Sequence, residues 1–174
     1  MNRELMLDFQ RGPVRRSTVS AFKLRKLRNS DDDRGIQFTG HASVTGYRYE
    51  VYGGPEYGGW FETIAPGAFK RTLQRGDDVA FLVNHDGMTL ARTKSGTLTL
   101  TEDGVGLAVK ADLDPRQSAV NDLQIASDRG DVDEMSMAFR VEADEWTVDG
   151  EPSNRLDGTE RLITEVNLNK GDVS

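Results

Sequence analysis

From Gly35 onward the sequence is dominated by short runs in which apolar and polar residues alternate, and no other feature limits the fold so narrowly. In EMSMAFRVEA (134–143) a period of two puts Met135, Met137, Phe139 and Val141 on one side of an extended chain and Ser136, Ala138 and Arg140 on the other. RLITEVNLN (161–169) alternates in the same way, and GTLTLTEDGVGLAVKADL (96–113) reads as two such strands joined at Glu102-Asp103-Gly104. GIQFTGHASV (35–44) and VAFLVN (79–84) add further strands, and TGYRYEVYGGPEYGGWFE (45–62) reads as a strand followed by a long turn. Two segments have helical character. APGAFKRTLQRG (65–76) has Pro66 at its start, Phe69 and Leu73 on one face and Gly76 at its end. DPRQSAVNDLQIASDRG (114–130) offers Asp114 as N-cap, Pro115 at the first helical position, Val120, Leu123, Ala126 and Ser127 on one side and Gly130 as terminator. DGEPSNRLDG (149–158) reads as a loop. Strands that each have one apolar face must pack that face on something, so the expected fold is α+β, mainly β: a small closed or curled antiparallel β-barrel flanked by helices.

Composition narrows the function classes. The chain has 174 residues, enough for one domain with its own core, and contains no cysteine. Thiol nucleophiles, disulfide frameworks and zinc ribbons are thereby excluded. No apolar run reaches the roughly 20 residues of a spanning helix, and the N-terminus lacks the order of a secretion signal. The formal charge of −7 argues against wholesale nucleic-acid binding. Charge is unevenly placed, however: every charged residue from Arg11 to Arg28 is basic, and Asp31-Asp32-Asp33 follows at once. Residues 1–34 are therefore expected to form a basic, flexible arm, ordered only on a partner, and residues 35–174 the folded domain. A solvated arm is favoured over a nucleic-acid-binding one, given the acidic run and the acidic body.

The chain has two histidines. His85 ends an apolar strand in Asn84-His85-Asp86-Gly87, where an imidazole could take a proton from a hydroxyl on a neighbouring strand. Ser136 is turned away from the apolar face of its own strand and could be that hydroxyl. Each residue also has an ordinary reading, a turn histidine and a solvent-facing strand serine. His41, in the middle of TGHASV, is the rival base and fits better as a half-buried structural residue. Arg140 shares a strand face with Ser136 and could assist an oxyanion or a substrate, although a solvated arginine is commoner there. Two histidines far apart have no metal-ligand spacing, so neither a metal nor a cofactor is expected.

Taken in order, FETIAPGAFKRTL, VAFLVNHDGMTLARTKSGTLTLTEDGVGLAVKADL, DEMSMAFRV and RLITEVNLNKGDVS resemble the successive blocks of the prohead protease family of tailed phages. The resemblance covers about residues 36–174 and is specific because four blocks occur in sequence with family-like spacing. It implies a fold similar to the herpesvirus assemblins and a serine endopeptidase that matures capsids by cutting scaffold, the capsid protein's scaffolding segment and often itself. By the same resemblance Ser136 is the nucleophile, His85 the base, and Asp172 of GDVS the third member, with Glu165 as the alternative because Lys170-Gly171 leaves the register open. Asp86 is an unsuitable third member, since adjacent side chains point apart. The implied partners are the major capsid protein and scaffold polypeptides, with a possible homodimer and no membrane. The implied location is the immature prohead in the bacterial host cytoplasm. The family pattern also implies that the final strand continues past Ser174, so a truncated C-terminal end is expected. The competing expectation is a catalytically silent assembly or scaffold-binding factor of the same fold.

Overall fold

The computed structural model describes the backbone of residues 14–18, 23–29 and 32–174, and side chains from Gly35 on. Its strands in chain order are β1 (Val14–Thr18), β2 (Lys23–Asn29), β3 (Asp32–Val44), β4 (Arg48–Val51), β5 (Trp60–Ile64), β6 (Ala80–Val83), β7 (Asp86–Arg92), β8 (Leu98–Glu102), β9 (Gly106–Leu113), β10 (Met135–Val148), β11 (Glu151–Ser153) and β12 (Glu160–Val173). Among the described residues two α-helices accompany them, α1 (Lys70–Arg75) and α2 (Ser118–Arg129). The molecule is thus mainly β with few helices, as the alternation requires.

Among the described residues the strands do not close into the expected barrel. They form an eight-stranded sheet whose main path is β1-β10-β12-β5-β4, and a four-stranded sheet ordered β2-β3-β9-β8. The apolar faces of the two sheets share one core, in which Phe38 and Val109 of the smaller sheet join Met137, Phe139, Ile163 and Val166 of the larger. Phe38 and Phe81 span the layers with ring centroids 4.8 Å apart. Alternation fixes which face of a strand is buried but does not state whether the last strand meets the first, and here two stacked layers bury the same faces.

Local differences from expectation have local causes. Helix α2 starts at Ser118 with Gln117 at its N-cap position, because Asp114 instead accepts the backbone N–H of Arg116 at 2.9 Å and holds the preceding turn. The segment 149–158 is only partly a loop. Asp149 and Gly150 both have positive φ, and β11 folds back on β10, pairing Thr147 with Pro152. Within the segment expected as an arm, β1 lies antiparallel to β10 and β2 antiparallel to β3.

Strand β12 lies at the centre of the larger sheet. It runs antiparallel to β10 on one side, and on the other side parallel to β5 at its beginning and to β6 at its end. Near that end β12 carries a wide bulge: Ala138 pairs with Asp172, yet Arg140, two residues on, pairs with Asn167. Lys170 has φ 59°, and a Cβ on Gly171 would lie 2.2 Å from the Ala138 carbonyl oxygen. Only glycine lets the two backbones approach so closely. The bulge resolves the register that Lys170-Gly171 left open, and it sets Asp172 beside the strand that carries Ser136.

Candidate active site

Ser136 lies on β10, one residue inside its start, with Met135 and Met137 buried on either side of it. Its backbone N–H donates to the Ser174 carbonyl at 2.7 Å, and the Ser174 N–H donates back to the Ser136 carbonyl at 2.9 Å. His85 occupies the second position of the two-residue turn between β6 and β7, where Val83 pairs with Asp86. Asn84 and His85 have φ 54° and 58°, the signature of a type I′ turn. Glycine is the usual residue at that second position. A histidine held in the left-handed region costs about 1–2 kcal/mol, a strain of the kind that persists where surrounding contacts over-determine it.

Those contacts are present. Nε2 of His85 hydrogen-bonds Ser136 Oγ, and Nδ1 of the same ring hydrogen-bonds Asp172 Oδ1. The backbone N–H of His85 donates to Ser174 Oγ at 3.0 Å. The imidazole is 10% and the Asp172 side chain 16% exposed, so both are shielded while keeping a route to solvent. A carboxylate on Nδ1 holds the ring proton there and leaves the Nε2 lone pair for the serine hydroxyl. Hydroxyl, imidazole and carboxylate thus form one hydrogen-bonded line drawn from the adjacent strands β10 and β12 and the β6–β7 turn. A cavity of about 480 Å³ opens beside this line. Phe81, Leu123 and Met135 contribute its apolar wall, and Asp131, Asp133 and Glu134 bring carboxylates to its rim.

The other candidates lie elsewhere. Glu165 accepts from Arg71 Nη1 at 3.0 and 3.2 Å, and Asp86 accepts from the Gly87 backbone N–H at 2.7 Å. The Arg140 guanidinium donates to the Asn169 carbonyl at 3.2 Å, on the bulge that precedes Asp172. His41, a quarter exposed in β3, bonds Asp103 at 2.8 Å. Asp103 also accepts the N–H groups of Val105 and Gly106, tying the β8–β9 turn to β3. Bonding to His41 first, and then to those two N–H groups, holds its carboxyl down at about 2. No cluster of three or more metal-ligating side chains occurs among the described residues.

Comparison with known proteins shows what the chain as a whole is similar to. A family model described as caudovirus prohead serine protease, peptidase S78, matches residues 22–171. The chain belongs to that family. The prohead protease of Enterobacteria phage HK97 is 32% identical to it over 143 residues, which cover 80% of this chain. The chain spans about 60% of the length of that curated relative. No solved structure matches. For this prohead serine protease family member, sequence reasoning missed one contributor to the site. Ser174 splints the backbones of Ser136 and His85, yet it carries no sequence signal, because its role comes from pairing across strands 38 residues apart in sequence.

Proposed function

We propose that the chain is a serine endopeptidase that matures phage capsids by cutting scaffold and the scaffolding segments of capsid protein, and in some settings itself. The observation that carries this reading is the hydrogen-bonded line Ser136–His85–Asp172 beside an open cavity in a member of the prohead serine protease family. In the reaction Ser136 Oγ attacks the scissile carbonyl carbon as His85 Nε2 takes the hydroxyl proton, giving a tetrahedral intermediate. Collapse breaks the C–N bond, and the imidazolium returns that proton to the leaving amine. Water then attacks the acyl-serine with His85 again as base, releasing the carboxylate product and restoring the hydroxyl. Asp172 fixes the ring orientation and tautomer and stabilises the transient imidazolium. Arg140, seated on the Asn169 carbonyl, braces the bulge that turns Asp172 toward the ring, and an oxyanion role would require it to leave that carbonyl.

The working compartment in this reading is the immature prohead in the host cytoplasm, and the partners are the shell and scaffold polypeptides. A silent assembly factor of the same fold would have no need of an intact serine–imidazole–carboxylate line. Co-expression of this chain with its phage's capsid protein, followed by intact-mass measurement, separates the two readings. Shortened capsid protein with the natural chain and full-length protein with Ser136→Ala is the expected result. Full-length protein in both, inside assembled shells, would favour the assembly factor.

A further inference from the structure

The nucleophile strand has a second long edge, and its own chain lies along it. Strand β1 runs antiparallel to β10 in the register Thr18 to Met135, Ser17 to Ser136 and Arg16 to Met137. Because Ser136 exchanges both of its backbone hydrogen bonds with Ser174 on the β12 side, the N–H and C=O groups of β10 that point the other way are those of Met135 and Met137. Without β1, these groups form an unpaired edge directly beside Ser136. An edge of this kind accepts an extended peptide by main-chain hydrogen bonding, largely independently of side-chain identity. A peptide bound there passes the nucleophile at the spacing of one strand, about 4.8 Å, next to the cavity that Met135 and His85 line. The occupant observed is only five residues long and is joined to β2, which belongs to the other sheet. It therefore touches the larger sheet through a short ladder that another strand can replace.

We propose that the Met135–Met137 edge of β10 is the docking edge for an extended polypeptide substrate, and that Val14–Thr18 holds this edge as an intramolecular competitor. The proposal rests on the peptidase reading of the same site. It makes the segment preceding the body a regulator. The site is competent but screened, and a substrate at high local concentration, or removal of the segment, opens it.

The test uses the full chain carrying Arg16→Pro with Thr18→Pro, which removes the two N–H groups at the positions facing Met137 and Met135. Circular dichroism and thermal melting establish that the body remains folded. On a fluorogenic peptide copied from the cleaved region of the capsid protein, the double variant should lower KM three- to tenfold with kcat little changed. A synthetic peptide of residues 12–21 should then inhibit that variant competitively. A folded double variant whose KM is unchanged or raised would overturn the proposal. Binding is read separately from chemistry by fluorescence anisotropy of the labelled 12–21 peptide in a Ser136→Ala background. Binding to the proline variant but not to the unaltered β1 is expected, whereas no binding to either, or equal binding to both, would overturn the docking edge. Failure of the natural chain to label with a fluorophosphonate at Ser136 would instead count against the peptidase reading, and the anisotropy result would still decide the edge.

Discussion

At the scale of the residue, the most informative position is His85. Its left-handed backbone is tolerated because three partners, Ser136, Asp172 and Ser174, fix the ring and its N–H. His85→Gly and His85→Ala should both abolish cleavage, yet the glycine variant should be more stable by about 1–2 kcal/mol, since only it relaxes in the turn. Denaturant unfolding of the pair measures this, and equal stabilities would show that the turn stores no strain. Asp172→Asn should keep the fold and lower kcat by on the order of 10³–10⁴, because an amide no longer selects the tautomer that leaves Nε2 free. Steady-state kinetics on a capsid-derived peptide measure that loss. Asp103 supplies a pH signature away from the site. Its folded-state pKa lies below its ordinary value, so its contribution is complete above about 4 and is lost as pH falls through about 2. The stability gap between the natural chain and Asp103→Asn should therefore narrow as pH falls below about 4, as followed by urea midpoints.

At the scale of the element, β10 was readable and β12 only half so. The alternation in EMSMAFRVEA places Met135, Met137, Phe139 and Val141 inward; the first three are buried and Val141 is partly so. It places Ala138 outward, yet Ala138 is also buried, because the Gly171 bulge lies against its carbonyl. A bulge is invisible to periodicity: it adds residues to one strand with no change in apolar pattern, and only the partner strand reveals it. For the same reason the sequence left Glu165 open as the alternative to Asp172, although five residues and a bulge separate their partners on β10. Gly171→Ala should push the two strands apart, cost about 1–3 kcal/mol and sharply reduce fluorophosphonate labelling of Ser136. Urea unfolding and labelling rates on one preparation check both effects, and an alanine variant with natural stability would show that the bulge can yield.

At the scale of the molecule, the layers were legible and their closure was not. Runs of alternation announce sheets with one buried face, but the pairing of β12 with both β5 and β6, and the separation into two sheets, depend on contacts between distant segments. A second, smaller core of Val51, Trp60 and Trp146 gave no warning in the sequence. Beside it, fully buried Glu62 accepts from Arg161 at 3.0 Å and from Tyr49 at 2.5 Å, and Arg161 also bonds Asp144. Arg161→Met should destabilise the protein by about 3–5 kcal/mol by leaving the Glu62 carboxylate without its cation, and thermal melting should register the loss. The proposed base, nucleophile and acid come from positions 51 and 87 residues apart along the chain. Such a site cannot exist on a half-collapsed polypeptide, because every bond in it closes a long loop. A chain whose sheets have not yet paired therefore carries the three side chains but no assembled blade.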